Sequence, residues 1–349
     1  MKGIRSANGQ DKWFYLAIIL LAMFFLFKLI DQSQIMRQFP LDQNNDVSVH
    51  LGQLHFLKQY GFHAVAPNWY NGYALFLNYP IGWYFLALPL YALLGNILLA
   101  TFVSHILLYI LGFIFFLFLG KVSKLSFVRT VFFYLFFFVN PVAVGNFIKL
   151  GRMTELTGMV LFIAFFALLL HLREKPIKIK GTIAFALIFA AIIFSHPSWT
   201  ILAALLVPSF FFLLDHRSKL FSILAFSLAI LITSFWLFPF LLTAQTSTLE
   251  TFYGTVRLFD FKNFLYDNII SFALPPFMWF AAFFYFQNFK KRGRKLKKEI
   301  IFYSVPLLVS FLYITRLIVF IPLINRPYPD SYNMFFIFFS VFFLVKTPL

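Results

Sequence analysis

Apolar stretches of about 14 to 23 residues recur along the whole of this 349-residue chain, and only a lipid bilayer accommodates so many of them. A hydrocarbon core roughly 30 Å thick needs about 20 apolar residues in a helix, and within it every backbone polar group must be satisfied inside the segment. The sequence therefore predicts an all-α, polytopic helical membrane protein. The expected transmembrane helices are 13–30, 97–119, 127–147, 155–172, 181–194, 199–214, 220–242, 268–289, 300–320 and 332–345. Hydrophobic residues make up 61% of the chain and charged ones 12%, which leaves no separate soluble domain and makes 1–349 a single transmembrane domain. The 55 Phe residues are read as a codon or lipid-facing preference as much as a functional one, and nothing catalytic is drawn from them.

Two function classes drop out on composition. Cysteine is absent, so disulfides, thiolate catalysis, iron–sulfur clusters and Cys-ligated zinc are excluded. A net charge of +17 does not indicate nucleic acid, because the bases sit in short loops between apolar segments rather than on one folded face. That placement is an orientation signal, since Lys and Arg flanking membrane spans stay cytoplasmic.

The signal decides an ambiguous segment. Residues 81–94 are apolar but short, and they carry Pro89. If this segment does not cross, 20 of the 29 Lys and Arg fall on the cytoplasmic side, whereas a crossing would invert every later loop and put 20 outside. We therefore expect about ten spans, both termini in the cytoplasm, and a long first external loop, 31–96, holding one amphipathic and one non-crossing helix. The amphipathic helix starts at Asp46, capped by Asn44 or Asn45, and closes at Gly61. It is read as lying on the outer membrane surface. The basic run from Lys290 to Lys298 reads as an anchor to anionic membrane lipid.

The candidate chemistry lies on the outer side. Asp46 and His50 share a helix face at i, i+4 spacing and can jointly hold a metal, a phosphate or a proton; ordinary solvation is the plain alternative. Glu155, with Lys149 and Arg152, belongs to a short external turn, where the carboxylate is also favoured by the helix dipole and the bases also suit lipid phosphate. His196 sits at a Ser-His-Pro hinge, with Ser195 a natural cap and Pro197 an early helical residue. Arg326 and Asp330 occupy a Pro-rich external loop, and Arg316 is placed about one turn inside the preceding span; either arginine can bind phosphate or pair with Asp330.

In order and topology these features resemble the C-type (GT-C) integral-membrane glycosyltransferases, which include oligosaccharyltransferase catalytic subunits and lipid A aminoarabinose transferases. The resemblance covers roughly Trp13 to Trp199. It rests on Asn45-Asp46 before an amphipathic helix, on Asn78-Tyr79-Pro80-Ile81-Gly82-Trp83-Tyr84 leading into a non-crossing helix, and on Arg152-Met153-Thr154-Glu155 in the second external loop. Only one acid stands in that loop, where the oligosaccharyltransferase branch has a pair. The stretch 69–83 is also similar to uncharacterised bacterial membrane proteins labelled pyruvoyl-tetrahydropterin-synthase-related, but it carries no recognisable pterin chemistry.

The resemblance implies transfer of a sugar from a polyprenyl-phosphate donor to an acceptor at the outer face. Asp46, Glu155 and His50 would then be catalytic, with Asp46 the base, and Arg326, Arg316 and Arg152 would hold donor phosphate. His196, Trp69, Tyr70 and Tyr73 would contact acceptor or sugar, and a divalent cation (Mg or Mn) would sit on Asp46 and Glu155. A transporter or flippase, and a non-catalytic scaffold of the same fold, are the competing readings.

Overall fold

A computed structural model describes residues 12–37, 46–62, 65–69, 72–77, 79–246, 269–289 and 293–347. Among them are thirteen α-helices and one antiparallel ribbon of two short strands. In chain order these are α1 (Lys12–Arg37), α2 (Asp46–Tyr60), β1 (Val65–Ala66), β2 (Tyr73–Ala74), α3 (Gly82–Leu94), α4 (Ile97–Ser123), α5 (Phe127–Val139) and α6 (Pro141–Ala143). There follow α7 (Met153–Leu172), α8 (Ile179–Ser195), α9 (Pro197–Phe212), α10 (His216–Thr246), α11 (Ile269–Gln287), α12 (Gly293–Ile314) and α13 (Pro329–Lys346). The expected caps Asn44 and Asn45 lie outside the described residues, while Gly61 closes α2 with φ +87° and donates to Leu57 O.

The chain is an all-α polytopic membrane protein. Five helices (α1, α4, α7, α10 and α11) are long and apolar enough to cross a bilayer, and the bent pair α5–α6 makes a sixth. Apolar side chains cover the outside, as along α1, where Ile19, Leu20, Met23, Leu26 and Phe27 are each more than half exposed.

Two segments read as continuous are broken. Between α5 and α6 the axis bends by 47° at Asn140-Pro141. Proline lacks an N–H and forces the preceding residue out of helical geometry, so Asn140 is extended (ψ 156°) and its Oδ1 caps the N–H groups of Val142 and Ala143. α6 then runs into a π-helical stretch, Val144–Lys149. At the other break, α12 stops at Ile314 and Arg316 turns left-handed (φ +63°) before a 3-10 turn, Leu317–Phe320. Arg316 is thus beyond the helix end, not inside a span. Thr315 bonds back to Phe311 O, and Pro322 denies Ile321 a helical conformation.

The bundle has two chemically distinct ends. At one, Phe14 of α1 packs on Phe132 of α5, Arg129 donates to Val345 O and Thr347 O, and Arg173 is bound to Glu299 through both guanidinium nitrogens, Nη1 and Nη2. Lys124, Lys295 and Lys346 gather at the same end. At the other, Gln32 near the end of α1 meets His105 of α4 and Phe147 O.

α3 begins near this second end. Its Trp83 bonds to Ser104, only seven residues into α4, and Gly82 lies where a Cβ would stand 3.0 Å from Phe194 O at the end of α8. From there α2 and α3 run side by side, from the His50–Tyr84 contact to Lys58 3.9 Å from the Tyr91 ring. The face of α2 expected on lipid is instead buried in protein through Val47, His50, Leu51, Gln53, Leu54 and Leu57.

The core corrects the reading of phenylalanine as a codon or lipid-facing preference. α7 and α13 are buried almost throughout, and Phe162, Phe166, Phe338 and Phe342 interlock with one another and, through Phe338, with Phe116, Phe133 and Phe137. These rings meet mainly edge to face, the geometry that aromatic quadrupoles prefer.

Candidate functional site

The site is organised by Arg152. It follows Gly151, whose φ of +69° reverses the chain after the π-helical stretch and whose missing Cβ matters: a Cβ there would come within 2.0 Å of Val47 Cγ2. That close approach lets the N-terminus of α2 dock on the turn, with Asp46 N–H donating to Leu150 O at 2.7 Å. The guanidinium then gathers three carboxylates. Arg152 Nε lies 3.6 Å from Asp46, and Nη1 lies 3.5 Å from Glu155 and 3.0 Å from Asp330, while also donating to Asn146 Oδ1. Glu155 is buried and takes a second bond from Ser331 Oγ (2.6 Å); the Asp46 and Asp330 side chains keep about half their exposure.

Burial raises the Asp46 carboxyl above its ordinary range; Arg152 opposes this and Glu155 adds to it. Burial works against the Arg152 cation, but Glu155, Asp330 and Asp46 outweigh it and hold its value above the usual one. Behind them lie two neutral histidines. His196 is pulled down to about 3 by burial and by Arg152, and His50 to about 3 by burial, His105 and His196. The Tyr84 hydroxyl donates to Gln53 Oε1, so its oxygen accepts from His50 Nδ1–H (2.8 Å), which leaves the buried His50 Nε2 as a lone-pair acceptor without a bonded partner. His196 Nδ1 is likewise buried and unbonded. Tyr79 donates to or accepts from Thr154 Oγ1 at 3.0 Å, and burial keeps its hydroxyl protonated.

The structure brings together Asp46, Glu155 and Arg152, with His50 and His196 just inside, packed respectively on Trp83 and against Gly158 of α7. Ser195 does not cap α9; its hydroxyl bonds back to Ala191 O, and Pro197 alone starts the helix. Trp69 rests on Phe56 and covers Gly52, so it packs against α2, and Tyr73 packs on Trp69; Tyr70 lies outside the described residues. Arg316 sits 5.8 Å from the Tyr313 ring with Nη1 buried and unbonded, apart from the Arg152 cluster, and Arg326 lies in the loop that leads to α13. Asp330 pairs with Arg152 rather than with Arg316. The sequence left two members of the site unnoticed: Asn146 and Ser331. Short polar residues at helix ends carry no distinctive spacing.

Among the described residues no group of three or more acids and histidines is disposed to hold a metal. The donor set between Asp46 and Glu155 does not fit a divalent cation, because the Arg152 guanidinium already lies between the two carboxylates and Ser331 takes the other Glu155 oxygen. No family model, curated protein or solved structure matches the chain. Fold and site together define the class: an all-α polytopic membrane protein with a clustered carboxylate–arginine site at one end of its helical bundle.

Proposed function

We propose that the chain is a cell-membrane glycosyltransferase that moves a sugar from a polyprenyl-phosphate donor to an acceptor at the outer face. In this reading ten helices cross (α1, α4, α5–α6 and α7 to α13), α2 and α3 lie outside, and the basic end with both termini is cytoplasmic. The observation that carries it is the convergence of Asp46, Glu155 and Asp330 on Arg152, from three distant parts of the chain, at the end opposite the basic cluster.

The chemistry follows from the groups present. Asp46, with its raised basicity and half-open side chain, takes the proton of the acceptor hydroxyl. The hydroxyl oxygen forms the new bond to the sugar anomeric carbon as the bond to phosphate breaks, and polyprenyl phosphate leaves with the electron pair. Arg152, with Arg326 of the loop before α13, supplies counter-charge for that phosphate, and Arg316 stands apart from it. Glu155 holds Arg152, and His196 faces the acceptor as a neutral acceptor of hydrogen bonds.

The test is transfer in vitro from labelled polyprenyl-phosphate sugars by the purified protein. Asp46→Asn and Glu155→Gln should each lose transfer. Transfer surviving both would overturn the site assignment, and absence of transfer with every donor would favour a flippase, for which the bent α5–α6 helix is the supporting feature.

A further inference from the structure

Two helices joined at the basic end reach different heights. Arg173 at the end of α7 is bound to Glu299 of α12 at 2.8 Å, so both helices rise from one level there. From Arg173 to Arg152 there are 21 residue steps, about 32 Å at 1.5 Å per residue and close to one hydrocarbon thickness. From Glu299 to Ile314 there are 15, about 22 Å, so α12 stops about 10 Å short of the level of Arg152. Asp330, bonded to Arg152, is back at that level. In the topology proposed above, residues 315–328 therefore climb through the outer margin of the bilayer without forming an α-helix.

Irregular backbone at that margin is viable only where its polar groups find partners within the protein, because lipid offers none. This segment provides them. Val319 N–H donates to Arg316 O, Ile321 N–H to Ile318 O, Asn325 N–H to Ile321 O and Arg326 N–H to Leu323 O. Side chains add two more bonds: Asn325 Nδ2 donates to Val319 O at 3.1 Å, and the Tyr332 hydroxyl, from the first turn of α13, donates to Ile324 O. Water would serve those two carbonyls equally well, whereas acyl chains would not. Arg316 and Leu323, both left-handed (φ +63° and +68°), turn the corners of the segment.

The side chains that face outward are apolar. Phe320 is 74% exposed and Leu323 68%, with Leu317 and Pro322 exposed beside them. A patch of this kind at a membrane margin inserts among acyl chains. At its base stands Arg316, partly exposed, 5.8 Å from the Tyr313 ring and without an ion pair among the described residues. An arginine stem is long enough to carry its charge to the headgroup level, where the guanidinium fork matches a lipid phosphate.

We propose that residues 315–324 form a collar that docks on the outer-leaflet phospholipid, with Leu317, Phe320 and Leu323 among the acyl chains and Arg316 on a headgroup phosphate. Through the Tyr332 bond the collar holds the first turn of α13, and with it Asp330 beside Arg152. This rests on the topology given under the proposed function and not on the transfer reaction.

The experiment uses the full chain, which has no cysteine, in phosphatidylcholine nanodiscs, with single nitroxide labels at Phe320→Cys and Leu323→Cys. Collisions of each label with molecular oxygen, which concentrates in lipid, and with a water-soluble nickel chelate report its depth. The oxygen-to-nickel ratio should match that of Met23→Cys on the lipid-facing side of α1 and exceed that of the exposed Lys175→Cys at least about threefold. Adding Arg316→Glu should lower the ratio about threefold, and Arg316→Lys should preserve it. A ratio favouring nickel would put the segment in water, and low access to both reagents would mean that protein covers it; either result overturns the proposal. Indifference to Arg316→Glu would overturn the phosphate contact. The two readings fail separately: lipid-immersed labels without sugar transfer sink only the enzyme, and transfer with water-exposed labels sinks only the collar.

Discussion

Arg152 Nη1 stands 3.0 Å from Asp330 Oδ2, across 178 residues of sequence, and this bond ties the start of α13 to the turn before α7. The same nitrogen serves Glu155 and Asn146, so the fork geometry matters as much as the charge. Arg152→Lys should keep the protein folded and lower kcat/KM on the order of tenfold, about 1.4 kcal/mol. Arg152→Ala should also destabilise it by leaving Glu155 buried without a counter-charge, and adding Glu155→Gln should restore much of the thermal stability. A double variant no more stable than Arg152→Ala would break this account.

Asp46 sets the acid limb of activity. The fold disfavours its ionised form, so the base is lost as pH falls through a value above the ordinary 3.8. The acid limb of kcat/KM should lie above that value, and a limb at or below it would exclude Asp46 as the base. The sign for stability is the reverse: the contribution of the protonated group is lost as pH rises through the raised value, so Asp46→Asn should be neutral or stabilising at pH 7.

His50 and His196 impose a pH dependence of their own. Each stays neutral in the fold down to about pH 3, whereas an unfolded histidine takes up a proton near 6.5. Their contribution is therefore complete above 6.5 and is lost progressively as pH falls toward 3. Thermal melting in detergent should drop between pH 7 and pH 4.5, and His196→Gln should flatten that drop. An unchanged slope would mean that burial and Arg152 do not hold His196 neutral.

At the basic end, Arg173 and Glu299 form a nearly buried pair, with Tyr285 donating to the same carboxylate at 2.8 Å. Removing one partner strands the other, so Glu299→Ala should cost about 3–5 kcal/mol, read as a lowered Tm. Transfer per folded molecule should not change. A loss of transfer without a loss of stability would show that this end also takes part in function.

Orientation is directly testable because the chain has no cysteine. Single cysteines at Asn71 and Ser126 should be labelled from outside and inside respectively. External labelling at Ser126 would mean that α3 crosses.

The sequence by itself determined the membrane class and the helical content, because hydropathy is a local property that lipid and water read residue by residue. It also marked Asp46, Glu155 and Arg152, since charge at a membrane boundary stands out against an apolar background. Only the tertiary structure decided that these residues share one guanidinium and that Asp330 joins them in place of a pairing with Arg316. Those relationships span up to 178 residues and depend on Gly151 admitting Val47 and on Asn140-Pro141 bending the helix. The interior role of phenylalanine was hidden for a related reason: in a bilayer the lipid-facing and core-facing sides of a helix are equally apolar, so composition cannot tell them apart.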